Sequence, residues 1–112
     1  MNIERGGIYW ASLDPVLGSE TGNKRPIVIL SNDINNQYNS TVTVIPITSN
    51  TERLFVHDVF VPKGEANLPK DSKIKCDQIR TIDKSRIIGF IGKLLPTYIE
   101  KIELATKIHL DL

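Results

Sequence analysis

Hydrophobic residues in this chain gather in short runs set apart by polar, turn-forming stretches. Only the C-terminal tail carries a helical spacing. Ile8–Leu13 is aliphatic and aromatic, and Ile27–Leu30 is uniformly apolar, the mark of a strand covered on both faces. Thr41–Ile47 alternates Thr with Val, the period-two pattern of a half-buried strand. Pro46 lacks a backbone donor, so the end of that strand is expected at an edge, a bulge or a bend. Val56–Val61, Lys73–Asp77 and Ile87–Leu95 are the remaining candidate strands. In the tail, Ile99, Ile102, Ala105 and Ile108 recur every three residues, and Thr97 and Glu100 behind Pro96 have the spacing of a capping box. The connectors are Asp14–Lys24, Asn32–Ser40 and Pro62–Asp71, the last expected to be mobile. The pattern predicts a mainly β (α+β) domain over residues 1–112, an antiparallel barrel or sandwich closed by a C-terminal helix.

Composition narrows the class. At 112 residues, 40% hydrophobic and 24% charged, the chain is long enough for a core without disulfides and too apolar for disorder. A lone cysteine, Cys76, excludes an internal disulfide and multi-cysteine zinc motifs. The opening residues lack a basic region followed by an apolar run, and no run is long enough to span a bilayer, so a cytoplasmic protein is expected. The formal net charge of +1 is uneven: residues 63–93 hold eight Lys/Arg against four acids, +4, and the remainder holds six against nine, −3. That segment is either a basic patch able to track phosphates or an ordinary solvated face.

Candidate chemistry is thin. His57 and His109 are far apart in sequence, and His57 and Asp58 as strand neighbours are expected on opposite faces, so both histidines read as structural or surface groups and no metal site is expected. Serine-nucleophile and phosphate-loop motifs are absent. What remains is polar residues at strand ends: Ser19, Glu20, Thr21, Lys24 and Arg25 around the first loop, Thr48, Ser49 and Asn50 after the third strand, and Gln78, Arg80 and Thr81 after the fifth. An arginine beside a hydroxyl suits a phosphate, because its fork reaches two oxygens at once. The plainer reading of Arg25 is an ion pair with Glu20 or Asp14.

Several segments in order carry a resemblance: Arg5-Gly6-x-Ile8-Tyr9, Leu13-Asp14-Pro15-x-x-Gly18-Ser19-Glu20, Lys24-Arg25-Pro26-Ile27-Val28-Ile29-Leu30-Ser31-Asn32-Asp33, Val44-Ile45-Pro46-Ile47-Thr48-Ser49 and Asp77-Gln78-Ile79-Arg80-Thr81-Ile82-Asp83-Lys84-x-Arg86. Together they resemble the MazF/PemK toxin family over nearly the whole chain. The resemblance implies a small SH3-like antiparallel β barrel with a C-terminal helix, a homodimer, and a metal- and cofactor-independent endoribonuclease that cuts single-stranded RNA and is silenced by a cognate antitoxin. Its catalytic pair maps onto Arg25 and Thr48. Its RNA contacts map onto Ser19, Glu20, Thr21, Lys24 and Ser49, with Gln78, Arg80 and Thr81 in a second segment. The family's Glu-Gln-Gly-Gly-type loop here reads Glu20-Thr21-Gly22-Asn23, a departure that bears on base preference.

The implied reaction uses the ribose 2′-OH as nucleophile and leaves 2′,3′-cyclic phosphate and 5′-OH ends. Arg25, with a pKa above about 12, suits charge stabilisation better than proton abstraction, and Glu20 is a candidate base. Among aromatic residues, one of Tyr9 and Trp10 is expected in the core, and Phe55, on a loop, ranks ahead of both for stacking a base. The expected antitoxin segment is acidic and disordered until bound. The alternatives are a non-catalytic RNA-binding module and a gyrase-inhibiting toxin on the same fold.

Overall fold

The structure, a computed structural model, describes residues 2–112. Seven strands are present: β1 (Gly7–Ser12), β2 (Lys24–Ile29), β3 (Thr41–Thr48), β4 (Asp58–Val61), β5 (Ser72–Lys75), β6 (Arg80–Asp83) and β7 (Ile87–Lys93). A short helix α1 (Asp33–Tyr38) and a long helix α2 (Pro96–Leu110) complete the regular structure, with single 3₁₀ turns at Glu65–Asn67, Cys76–Gln78 and Lys84–Arg86. The strands form one antiparallel sheet in the order β4-β5-β3-β2-β1-β7, with β6 also on β3. Its two end strands, β4 and β7, do not pair, so it is a barrel-like sheet left open.

β3 is the hub. Along one edge it pairs with β2 from Val44 to Pro46. Along the other it pairs first with β6, from Thr41 to Val44, and then with β5, at Ile47 and Thr48. Pro46 falls in the gap between β6 and β5, where a missing N–H orphans no acceptor. The bend expected from Pro46 is therefore a change of partners. Burial follows the period of two: Ile27 and Ile29 join one apolar cluster with Tyr9, Ala11, Leu13 and Val44, whereas Val28 joins a second with Ile8, Ile45, Ile47 and Ile74.

The second cluster lies under α2, which buries Ile102 and Ala105 in it with Tyr98 and Ile99 alongside. Ile108, expected on the same face, is half exposed. The capping box does not form. The N-cap is Leu95, Pro96 opens the helix, and no side chain caps it; the Leu95 N–H donates instead to Glu65 Oε2 at 3.0 Å. Arg5 ties the chain start to both layers, its Nε donating to the Leu30 carbonyl and its guanidinium pairing with Glu103 of α2 at 3.0 Å.

Three connectors depart from expectation. Asn32–Ser40 contains α1, capped by the Asn32 side chain accepting from the Asn35 N–H, a start hidden by the polar Asp33-Ile34-Asn35-Asn36 sequence. Arg80–Asp83 is a strand rather than a loop, and its four residues are too few to show a period. Pro62–Asp71 is not a loose connector: Leu68 is buried, the Asn67 side chain donates to the Ile91 carbonyl, and the Lys63 N–H donates to Asp71.

Gly92 on β7 makes that packing possible. A Cβ there would stand 2.2 Å from the Ala66 carbonyl oxygen, a backbone atom that cannot swing aside. Gly92→Ala is expected to destabilise the fold by about 1–3 kcal/mol, the range for overpacked sites, read as a lowered urea midpoint. An unchanged midpoint would show that the 62–71 connector is not held against β7.

Candidate active site

The β2–β3 ladder positions the site. Its pairs are Ile29↔Val44, Val28↔Ile45 and Ile27↔Pro46, each summing to 73. Arg25 stands two residues before Ile27 and Thr48 two residues after Pro46, so both lie beyond the end of this ladder. The recorded ladder stops before that point, at Pro46, and β2 carries Pro26 there. With donors removed from both strands, the strands part without orphaned amides, and a groove of about 360 Å³ opens between them. Lys24, Arg25, Thr48, Ser49, Asn50 and Trp10 line it on one side, and Leu68, Pro69, Lys70 and Ser72 close it on the other. Its cations are Lys24, Arg25 and Lys70; no carboxylate and no histidine is among the lining residues.

Arg25 makes no ion pair with Glu20 or Asp14 among the described residues. Its Nε donates to the Gly22 carbonyl at 2.6 Å, which fixes the stem and leaves the terminal amino groups for a ligand. The two acids serve the loop. Asp14 Oδ1 accepts the Asn23 N–H at 2.9 Å, and Glu20 Oε1 accepts the Leu17 N–H at 2.6 Å. Thr48 Oγ1 accepts the Asn50 N–H at 3.2 Å, so its own hydroxyl hydrogen is free to be donated.

The 14–24 loop is clamped from outside. Lys75 Nζ donates to Thr21 Oγ1 at 3.0 Å, and the Thr21 N–H donates to Gln78 Oε1 at 3.4 Å. The Arg86 guanidinium donates to the Ser12 carbonyl at 3.2 Å and also to that of Asp14. Thr21 and Gln78 thus support the loop that holds Arg25. Ser19 and Glu20 are exposed on that loop, Arg80 and Thr81 stand on β6 opposite Val44 and Thr43, and none of these four, nor Thr21 or Gln78, lines the groove.

The basic segment 63–93 does not gather in the groove. Of its eight cations only Lys70 lines the groove. Lys73 pairs with Asp58 and donates to the Arg53 carbonyl, Lys75 holds Thr21, Arg86 holds the loop, and Lys93 pairs with Glu4.

Tyr9 is core, as one of the adjacent aromatics had to be, and Trp10 is the aromatic side chain in the groove. Phe55 lies elsewhere, stacked on His57 with ring centroids 5.5 Å apart. The histidines are not isolated either: the rings of His57 and His109 are 6.1 Å apart, and His57, Asp58 and Asp77 converge. His57 precedes β4 rather than lying in it, so strand alternation does not separate it from Asp58. Cys76 is buried, which pushes its thiol up to about 11, and no thiolate nucleophile is available.

A family model for PemK-like, MazF-like toxins of type II toxin-antitoxin systems matches residues 4–110. The chain belongs to this family. Endoribonuclease EndoA of Bacillus subtilis is 38% identical to this MazF-like chain over all of it and 97% of the relative. The crystal structure of MazF from Deinococcus radiodurans superposes with a TM-score of 0.88 at 20% identity, over 100% of this chain and 99% of that one. A mycobacterial endoribonuclease in complex with its cognate antitoxin gives 0.80 at 24% identity, over 97% and 95%. The open barrel with a C-terminal helix is the MazF fold.

Sequence reasoning passed over Trp10 and Lys70 as groove residues of this MazF-like chain. For Trp10 the signal was available: in Tyr9-Trp10 strand alternation sends one ring inward and the other outward. Lys70 reaches the groove only through the packing of the 62–71 connector, which no local pattern encodes.

Arg86→Ala removes the clamp on the 14–24 loop while leaving the groove side chains in place. Limited proteolysis is expected to cut this loop several times faster than in the wild type, with circular dichroism unchanged. Equal cleavage rates would show that Thr21 and Asp14 hold the loop alone.

Proposed function

We propose that this MazF-like toxin is a metal-independent endoribonuclease that cuts single-stranded RNA in the β2–β3 groove. The observation that supports the reading is that Arg25 and Thr48 line one groove together with two further cations and no acid. The substrate provides the nucleophile. The ribose 2′-OH gives up its proton to solvent as its oxygen bonds to the adjacent phosphorus, the bond from phosphorus to the 5′-oxygen breaks, and that oxygen takes a proton from solvent, giving a 2′,3′-cyclic phosphate and a 5′-OH. Charge builds on the non-bridging oxygens, and the Arg25 guanidinium and the Thr48 hydroxyl meet it as donors. Asn50 donates into Thr48 Oγ1, which leaves the Thr48 hydroxyl hydrogen for a phosphate oxygen.

Proton abstraction does not fall to Glu20 in this arrangement, because its carboxylate is engaged with Leu17 and lies outside the groove. Lys24 and Lys70 attract the flanking phosphates, Ser49 adds a donor at the floor, and Trp10 offers a face on which an unpaired base stacks. Single strands are the substrate because their base edges are open, whereas an A-form duplex hides them. Ser19, Glu20, Arg80, Thr81 and Phe55 do not line the groove, so any RNA contacts they make fall beyond the cleaved phosphate.

An antitoxin segment that is acidic and disordered when free fits the same groove, since three cations without a neighbouring acid attract a carboxylate-rich strand as they attract phosphate. Homodimer assembly and a cytoplasmic location belong to this reading. Among the described residues no helix is long and apolar enough to cross a membrane.

Purified protein is expected to cleave single-stranded RNA in excess chelator and to leave cyclic-phosphate ends. Arg25→Ala should lower the rate by about 10²–10³ or more, the cost of one charge-stabilising donor, with a melting temperature within a few degrees of wild type. Retained cutting by this variant, or intact RNA across a broad panel with folded wild type, would sink the reading.

Trp10 is the sole tryptophan, so its fluorescence reports on the groove alone. A single-stranded RNA made uncleavable by 2′-O-methylation should quench or shift that emission saturably. An unaltered spectrum with bound RNA would place the RNA on another face.

A further inference from the structure

Away from the groove, three side chains from separate segments converge: His57 before β4, Asp58 at its start, and Asp77 in the 3₁₀ turn after β5. His57 Nε2 lies 3.8 Å from Asp58 Oδ1 and 3.5 Å from Asp77 Oδ2. One ligand atom from each residue falls within 4.8 Å of the others. Two further features distinguish this cluster from a chance meeting of surface groups. The Asp58 side chain is 1% exposed, and its Oδ1, the oxygen nearest His57, has no hydrogen-bond partner among the described residues. Asp77 Oδ1 is likewise buried without a partner. Buried carboxylate oxygens without donors are costly, and a cation removes that cost.

Asp58 is also held as a ligand should be. Its Oδ2 accepts the Phe55 N–H at 2.8 Å and sits 3.5 Å from Lys73 Nζ, which fixes the carboxyl plane and leaves Oδ1 towards His57. Two carboxylates against one lysine leave the cluster one negative charge in excess before any ion enters. The spacing is telling as well. Ligands at about 2.0–2.2 Å from a tetrahedral zinc stand about 3.3–3.6 Å apart, close to the separations of 3.5 and 3.8 Å here. One imidazole with two carboxylates suits zinc or a neighbouring first-row dication.

We propose that His57, Asp58 and Asp77 form a binding site for one divalent transition-metal ion per chain, of the zinc class, separate from the groove. A fourth position is left to water or to His109 of α2, whose ring lies 6.1 Å from that of His57. The ion joins the segment before β4 to the turn after β5. Its role is therefore to fasten the 49–57 loop, which begins beside Thr48, to the rest of the fold. It takes no part in the phosphate chemistry, and the site stands on its own geometry whether or not the proposed cleavage is correct.

The test uses full-length protein without a histidine tag, stripped by chelator and titrated with zinc by calorimetry and with cobalt by visible absorption. Saturation at one ion per chain is expected, with a ligand-field band for cobalt and a raised melting temperature in zinc. His57→Ala and Asp77→Asn, both at partly exposed positions, should keep the native circular dichroism and lose affinity at least tenfold. Absence of stoichiometric uptake by folded wild type would overturn the proposal. So would unchanged affinity in both variants, which would place the ion elsewhere. Since the readout is uptake, failure of RNA cleavage leaves the result intact and is told apart from it.

Discussion

Everything in this molecule hangs on the hydrogen-bond capacity of one strand. A strand has two edges, and β3 uses them for three partners: β2 on one, β6 followed by β5 on the other. The exchange from β6 to β5 forces the sheet to turn, and it is this turn that curls the sheet into a barrel. Pro46 stands where the exchange leaves no acceptor waiting, so the residue that would break an ordinary central strand fits here without loss. Beyond Pro46 the strand delivers Thr48 to the point where β2 begins with Lys24 and Arg25. Fold and groove therefore share a single cause: the place where the ladder ends is the place where the polar side chains meet.

The groove depends in turn on contacts that carry no chemistry. Arg25 is held by a carbonyl of the loop that precedes it, and that loop is held by Thr21, Lys75, Gln78 and Arg86. Three of these are polar residues far along the chain, at 75, 78 and 86. Each replaces an exposed side chain's freedom with a bond to loop backbone or to Thr21, so a glycine-containing loop keeps one shape without a core of its own. Two of the five segments that carry the family resemblance hold residues that act in this way: in the first Arg5 bridges Leu30 and Glu103, and in the last Asp83 caps the turn at Ser85 and Arg86 clamps the loop.

The strands with a clear period or an unbroken apolar run were legible from the sequence, because burial on one or two faces leaves a mark at each residue. β1, β2, β3 and β7 are of this kind, and their boundaries moved by only one or a few residues. β6 was not legible: four residues with one buried side chain, Ile82, have no period, and they are a strand only because β3 offers an edge. The short α1 was hidden for a related reason, since its single buried residue is Asn36, bonded to Ser31. In the site, Arg25 and Thr48 were found by resemblance, while Trp10 and Lys70 needed the fold. The convergence of His57, Asp58 and Asp77 is a tertiary fact, set by where β4 starts and where the turn after β5 lies.

Charge illustrates the same limit. A surplus of +4 over residues 63–93 suggested a surface that attracts phosphate, yet four of those eight cations, Lys73, Lys75, Arg86 and Lys93, are engaged with acids, carbonyls or a hydroxyl on other segments. A cation paired with an acid, as Lys73 and Lys93 are, contributes little field at a distance because the two charges offset each other, and salt screens what remains over a Debye length of roughly 8–10 Å. What the groove offers a polyanion is set by Lys24, Arg25 and Lys70, cations without an acid among the lining residues. The electrostatic pull on a ligand thus depends on which cations the fold leaves unpaired and not on how many the chain contains. Near-neutral net charge is then no obstacle, because the fold spends its acids at the loops and leaves the groove positive.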